Sequence, residues 1–209
     1  MNIVLFGGTG RTGRLIVHRA LLTGHGVTAY VRDPTRMNTV HHRLQVLRGD
    51  VLDEASVHRA VAGHDAVLIA LGTSARKPLP VLSHGVRHVL DAMEKHRVRR
   101  LVVLSAAGAL REPAGFLVGG MGLRIFRMVL PGVYMEHRKM LQEIQRRDLD
   151  WTAVRAVLLT KGPPKGRYRV AVAGLPRWGF RISRADVADF MIRQLTTDEF
   201  VRKMPAIAY

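Results

Sequence analysis

The chain contains no cysteine, which excludes disulfide bonds and thiolate chemistry and leaves the redox compartment weakly constrained. It is also poor in acid, with 16 Asp and Glu against 33 Lys and Arg, a formal charge of +17. That balance attracts anions, but the basic residues are spread along the whole length, with only small groups such as Arg97, Arg99 and Arg100. Neither a zinc-ligand pattern nor an interleaved aromatic and basic strand accompanies them. A solvated basic surface is expected, and no metal site or specific nucleic-acid partner. Long apolar runs are missing as well. The least charged stretch, Pro113 to Leu123, is too short to cross a bilayer and is broken by glycines. Met1 to Phe6 is too short for a secretory signal and has no basic segment before it. The sequence thus predicts a soluble cytoplasmic protein with no membrane partner. Its 209 residues, 47% hydrophobic, suit one domain over 1–209 that buries a core without staples.

What is present begins at the first strand. Asn2 to Phe6 is a short apolar run that passes into Gly7-Gly8-Thr9-Gly10-Arg11-Thr12-Gly13 and then into the amphipathic stretch Arg14 to Leu22. Gly8, Gly10 and Gly13 have the G-x-G-x-x-G spacing, while Gly7, Gly10 and Gly13 have the related G-x-x-G-x-x-G. A turn of this kind sets bare backbone N–H groups and the positive end of a helix against a pyrophosphate. One glycine makes the turn, one lets the phosphate approach, and Gly13 lets the helix pack on the strand. The strand before and the helix after are what separate this motif from a plain glycine turn. Gly7, Thr9, Gly10, Arg11, Thr12 and Gly13 are therefore the candidate phosphate cradle.

Strand-like and helix-like patterns alternate beyond it. Strands are expected at Val27 to Val31, Leu44 to Leu47, Ala66 to Leu71, Leu101 to Ser105 and Thr152 to Val157, with a final one at Val201 to Ala206. Helices are expected at Arg14 to Leu22, Asp53 to Ala62, Val81 to Lys95, Glu136 to Arg147 and Arg184 to Leu195, the last opened by Ser183-x-x-Asp186 as a capping box. Near-continuous apolar strands between helices predict an α/β fold, a single Rossmann-like doubly wound parallel sheet with helices on both faces. Two stretches break the alternation. Ala106 to Pro131 carries five glycines, and Lys161 to Gly174 holds Gly162-Pro163-Pro164 and an extended segment from Tyr168 to Val172. Both follow carboxyl ends of strands, where open α/β sheets bind ligands. Loops near 106–131 and 158–174 are thus candidate substrate walls.

The end of the second strand selects the cofactor. An NAD site places an acid there for the ribose 2′-hydroxyl. Here the strand runs into Arg32-Asp33-Pro34, with Arg36 close behind. A guanidinium matches a 2′-phosphate by charge-assisted bonds, so Arg32 and Arg36 favour NADPH, although Asp33 could still reach a ribose. Asp50 and Val51 end the third strand, where they suit an adenine, or Asp50 is a turn carboxylate. Ala70, Leu71, Gly72 and Thr73 close the fourth strand, with Gly72 allowing close approach. Arg76 just beyond is either a phosphate clamp or a solvated loop residue.

These residues together resemble the atypical short-chain dehydrogenase/reductase group with a compact NAD(P)H-binding domain. Within it the chain is most similar to the flavin reductase and biliverdin-IXβ reductase family. The resemblance rests on the glycine turn, Val31-Arg32-Asp33-Pro34, Gly49-Asp50-Val51, Ala70-Leu71-Gly72-Thr73 and Leu104-Ser105-Ala106. Two C-terminal stretches carry the narrower likeness: Gly166-x-Tyr168-Arg169-Val170, and Ile182 to Val187 with Leu195-Thr196-Thr197-Asp198-Glu199. The resemblance implies a monomer that binds NADPH (NADP⁺ after transfer) and reduces flavins or linear tetrapyrroles. By position, Arg32 and Arg36 take the 2′-phosphate, Ser105 sits beside the nicotinamide with Ala106 next to it, and His137 falls near the substrate. Ala156-Val157-Leu158 departs from the Pro-Pro-His found there in the family, which weighs against tetrapyrrole specificity.

The residues also limit the chemistry. Carbonyl reduction in this superfamily uses Ser with Tyr-x-x-x-Lys, and the nearest match here is Tyr134-x-x-x-Arg138. Arg cannot relay a proton, so Tyr134 is expected to be a surface-packed residue at a helix start. Flavins and other planar acceptors such as quinones need less help, because solvent can protonate the reduced ring. Ser105 with an apolar wall of Phe116, Leu117 and Leu158 suits them. His137 is either a donor to the acceptor or a surface helical His. The sequence thus points to an NADPH-dependent reductase of planar acceptors. The alternative is a non-catalytic NADP(H) sensor acting through a partner.

Overall fold

The computed structural model describes residues 1–72, 81–110, 128–177 and 179–209. Thr73, Arg76, Phe116 and Leu117 lie outside the described residues. The elements run β1 (Asn2–Phe6), α1 (Arg11–Leu22), β2 (Gly26–Val31), β3 (Leu44–Arg48), α2 (Glu54–Val61), β4 (Ala66–Ile69), α3 (Val86–Lys95) and β5 (Arg100–Ala106). They continue with α4 (Pro131–Gln145), β6 (Asp150–Ala156), β7 (Leu158–Thr160), β8 (Arg169–Ala171), β9 (Arg181–Ser183), α5 (Arg184–Arg193) and β10 (Ala206–Ala208).

Eight strands form one sheet in the order β3-β2-β1-β4-β5-β6-β10-β8, while β7 and β9 pair separately. All partners in the large sheet are parallel except β8, which runs antiparallel along β10. The chain winds from β1 outward to β3, then returns to lay β4 on the other side of β1. A crevice opens at such a reversal, beyond the carboxyl ends of the strands.

Alternation along β1 shows how the layers form. Val4 and Phe6 point into one core with residues of α2, α3 and α4, such as Val57, Leu90 and Met140. Ile3 and Leu5 point into a second core with Ile16, Val17 and Ala20 of α1 and Val187, Met191 and Ile192 of α5. Successive strand side chains face opposite ways, so apolar runs can serve both faces. The doubly wound sheet read from the sequence is observed. Asp189 of α5, mostly buried, ties the second layer together, with Arg19 of α1 at 2.6 Å and Arg193 at 2.8 Å.

Three elements differ from the sequence reading. The last strand is Ala206–Ala208 rather than 201–206, because Val201 and Arg202 form a turn with Arg202 at φ 56°, Lys203 makes only an isolated bridge to Thr152, and Pro205 offers no donor. The helix expected from Glu136 starts a turn earlier at Pro131, a favoured first helical residue. The helix expected from Val81 opens with a π-helical segment, Val81–Gly85, before α3. The three-residue strands β7 and β9 are too short to show a period.

Candidate cofactor and active site

The glycine turn is built by close backbone contact. A Cβ on Gly13 would lie 2.1 Å from the Gly7 carbonyl oxygen, and one on Gly7 would lie 2.5 Å from that of Ala70. Gly7 also sits at φ 93°, a conformation that side chains resist. Gly13 therefore packs α1 onto the turn, and Gly7 packs the turn onto the end of β4. Gly10 is the N-cap of α1 and offers no side-chain bond, and the first turn holds no acid. The N–H groups of Arg11, Thr12 and Gly13 are left to a ligand, which fits a pyrophosphate. Around Gly72 a Cβ would meet none of the described residues within 4 Å. Open space therefore lies over the end of β4 beside the turn.

That space belongs to a cavity of about 700 Å³ above β1, β4, β5 and β6. Gly10, Arg11 and Thr12 border it on the phosphate side; Ala70, Leu71, Gly72, Leu104, Ser105 and Ala106 form its floor. Ala156 to Leu159, Leu175, Phe180 and Arg184 make the far wall. From α4 come Tyr134 and His137, which share a face at i, i+3. The structure thus places Tyr134 in the cavity rather than at the outer surface, because α4 begins at Pro131 and turns its first residues inward. Arg138, in the place of the superfamily Lys, donates from Nε to the Ala109 carbonyl at 3.2 Å, and Lys139 pairs with Glu136 at 3.3 Å.

Ser105 and His137 meet: Ser105 Oγ is 3.3 Å from His137 Nδ1. Burial lowers the His137 pKa to about 4, against a weaker upward pull from the Glu136 charge. The imidazole is neutral at pH 7, a hydrogen-bond partner rather than a strong acid. Glu136, buried beside it on α4, accepts from Ser83 Oγ at 2.8 Å and from the Ser83 N–H at 3.3 Å. The helix that carries Tyr134 and His137 is thereby fixed to the π-helical segment before α3.

The adenosine end is less completely formed. Asp33 caps the 3₁₀ turn Pro34–Arg36, accepting from the Thr35 N–H at 3.1 Å and Thr35 Oγ1 at 2.6 Å. Those bonds lower its pKa, with Thr35 the leading cause. Asp33 is a turn former here, which favours the guanidinium reading of this corner. Arg36 borders a second cavity next to the glycine turn, with Arg14 donating to its carbonyl at 2.9 Å. Arg32 is exposed at the end of β2 and lines neither cavity. Asp50 accepts from the Leu52 N–H at 3.0 Å, so its carboxylate shapes a turn. The Val51 side chain is buried against Gly85, leaving little of it for an adenine.

The sequence reading did not single out Leu175, Gly179, Phe180 and Arg184. They come together because the far wall is held by buried polar side chains. Arg155, 1% exposed at the end of β6, donates to the carbonyls of Met204 at 2.6 Å and of Val172 and Gly174 at 3.2 Å. Burial lowers its pKa to about 10, still charged at neutral pH. Asp186 does the opposite task. It accepts from the N–H groups of Lys165 and Gly166 at 3.0 and 2.9 Å, from Ser183 Oγ at 2.9 Å and from Tyr209 at 2.5 Å. Burial pulls its pKa up, but those hydrogen bonds outweigh it and hold the carboxyl below its ordinary value. Half of the expected capping box is present, with Ser183 Oγ accepting from the Asp186 N–H at 3.0 Å, while the Ser183 N–H donates to the Tyr209 hydroxyl at 3.1 Å instead of to Asp186.

Comparison with known proteins agrees with this geometry. An uncharacterised chloroplastic protein of Arabidopsis thaliana is 27% identical over 214 residues, covering 95% of this chain and 73% of that protein. Cinnamoyl-CoA reductase 1 of Oryza sativa is 31% identical over 118 residues, covering 52% of this chain but 35% of the enzyme. The anaerobilin reductase of Escherichia coli O157:H7 superposes with a TM-score of 0.83 at 19% identity, over 100% of this chain and 97% of that one. No helix among the described residues is long and apolar enough to cross a membrane. Residues 7–198 match the NAD(P)H-binding family. The chain belongs to that family and has a Rossmann-like fold.

Proposed function

We propose that this protein is an NADPH-dependent reductase of planar conjugated acceptors: flavins, linear tetrapyrroles or quinones. The observation that carries the reading is the cavity beside Ser105. Its wall is largely apolar, from Leu104, Leu130, Val157, Leu158 and Phe180, and its one histidine is neutral at pH 7. Such a wall holds a flat ring against a second ring and excludes water, the main demand of hydride transfer to an electron-poor acceptor. When held by the glycine turn, NADPH would supply the hydride and solvent the proton, giving the reduced acceptor and NADP⁺. Ser105 and His137 orient the nicotinamide and the acceptor edge. Arg36 and the turned-away Asp33 support NADPH over NADH.

Tyr134 supports a second reading, since it shares the cavity and could protonate an alkoxide formed from a carbonyl. Steady NADPH oxidation on adding FMN tests the first reading, with Tyr134→Phe changing that rate by less than about threefold. A positioned proton donor contributes about 10²–10⁴-fold. Absence of flavin, quinone and biliverdin reduction, with an aldehyde or ketone reduced and Tyr134→Phe abolishing it, replaces the first reading by the second. Tight NADP⁺ binding with no turnover of any acceptor makes the protein a sensor.

A further inference from the structure

The second cavity, of about 690 Å³, adjoins the first across Arg11 and Arg184, which border both. Arg14, Arg36 and Lys161 complete a rim of five cations, and no acidic residue stands in that wall among the described residues. Among the described residues, none of the five is ion-paired. Arg19 and Arg193 share the acid Asp189, whereas this rim is left charged. Arg184 is only half-buried, yet burial first and the nearby Arg11 charge second lower its pKa. Two neighbouring guanidiniums on one cavity rim are relieved by an anion that bonds to both.

The five cations come from two different parts of the chain. Arg11 and Arg14 belong to α1, and Arg36 to the turn after β2, where the cofactor phosphates are served. Lys161 follows β7 and Arg184 opens α5 after β9, in the same wall as Leu158, Leu159 and Phe180. We propose that Arg184 and Lys161 bind an anionic side chain of the acceptor, phosphate or carboxylate, while its planar ring lies in the apolar cavity. The inference rests on the reductase reading and narrows it: the preferred acceptors carry a charged tail.

FMN and riboflavin share one ring and differ by a phosphate, which makes them the discriminating pair. Each is titrated into the NADP⁺-loaded protein by flavin fluorescence, and each is offered with NADPH for turnover. FMN is expected to bind about tenfold or more tightly than riboflavin, the scale of a charge-assisted contact. Added salt should weaken FMN alone. Arg184→Gln should bring the two flavins within about threefold. Lys161→Gln, at an exposed loop position that does not threaten folding, should narrow the gap in part. Biliverdin supplies the carboxylate arm: an Arg184 dependence seen with biliverdin and not FMN assigns the site to carboxylates. Equal binding of FMN and riboflavin, with no Arg184 dependence for biliverdin, overturns the inference. So does an Arg184→Gln loss that falls on NADP⁺ instead of the acceptor. Tighter FMN binding without turnover sustains the anion site and defeats the reductase reading. Equal turnover and binding of both flavins, with no Arg184 dependence for biliverdin, does the reverse.

Discussion

Between β1 and α1 the chain is positioned by backbone lying on backbone; between β6 and α5 it is positioned by side chains that reach for backbone. The first region tolerates no added atoms at Gly7 or Gly13, where a Cβ would come within 2.5 and 2.1 Å of carbonyl oxygens. The second depends on Arg155, which gathers three carbonyls, and on Asp186, which gathers two amides and two hydroxyls. Close packing of main chain is specified locally and fails sharply when crowded. A buried ion held by backbone groups acts over long sequence separations, and removing it strands every group it served. The cofactor half is therefore rigid by contact, and the acceptor half by two polar anchors.

The comparison can be broken most directly at Gly13. Gly13→Ala should lift α1 from its turn and weaken cofactor binding at least about 100-fold in whatever protein folds, because pyrophosphate and N–H groups no longer meet. Gly10→Val, whose Cβ would sit at 3.2 Å from the Gly7 oxygen, should keep a near-normal melting temperature and lose cofactor affinity by blocking the phosphate. Normal binding in a folded Gly13→Ala protein would show that the turn is softer than its contacts suggest.

Arg155→Met tests the other half. It leaves the carbonyls of Met204, Val172 and Gly174 without that donor and should cost about 3 kcal/mol or more. That corresponds to a drop in melting temperature of roughly 6–12 °C for a chain of this size. Below the transition, NADP⁺ affinity should stay near the wild-type value while acceptor KM rises. An equal loss of both would mean the two halves are not separately held.

Arg36→Ala gives a smaller and more selective effect. Loss of charge-assisted bonds to a 2′-phosphate should weaken NADPH by about 1.5–3 kcal/mol and leave NADH nearly unmoved. The same change at Arg32, which lines neither cavity, should weigh less. Equal losses for NADPH and NADH in a titration would make this corner structural.

The smallest effect is in pH. His137 has its pKa lowered from 6.5 to about 4 by burial, so folding favours its neutral form. That contribution is complete above about pH 6.5 and is lost as pH falls toward 4. Urea midpoints at pH 7 and pH 5 should fall further apart in the wild type than in His137→Gln. Asp186 acts in the same direction at lower pH, its lowered pKa protecting the acceptor wall until the carboxyl protonates. A wild-type midpoint that rises on acidification would contradict the sign for both groups.

The sheet, its layering and the phosphate turn were legible because their signals are local. Glycine spacing and apolar runs such as Val67, Leu68 and Ile69 each lie within one element. The acceptor wall was less so. Ser183-x-x-Asp186 announces a helix start but not that its carboxylate holds residues 165, 166 and 209. Arg155 reads as one cation among 33, and nothing in its neighbourhood shows that it is buried. Tyr134 was placed outside because the helix was expected to start at Glu136: with Pro131 as the first helical position, Tyr134 lies within the helix on the face that borders the cavity. Asp50 and Val51 illustrate the opposite limit, since their place at a strand end is right while their side chains serve a turn and the core.

The short β7–β9 pair has a consequence for how acceptor preference can change. Its parallel register sets Leu158 opposite Arg181 and Thr160 opposite Ser183, so the excursion leaves at Thr160 and re-enters at Arg181, at the two ends of a ladder only three residues long. Segments whose ends are held this close can be exchanged or lengthened at little extra closure entropy. The frame's polar grips on this excursion fall on its main chain, Arg155 on the carbonyls of residues 172 and 174 and Asp186 on the amides of residues 165 and 166, while Tyr168 packs edge-on against Phe190. Main-chain grips are indifferent to side-chain identity. The fold thus carries a built-in grafting site, where a new recognition surface can be installed while the dinucleotide half keeps its shape.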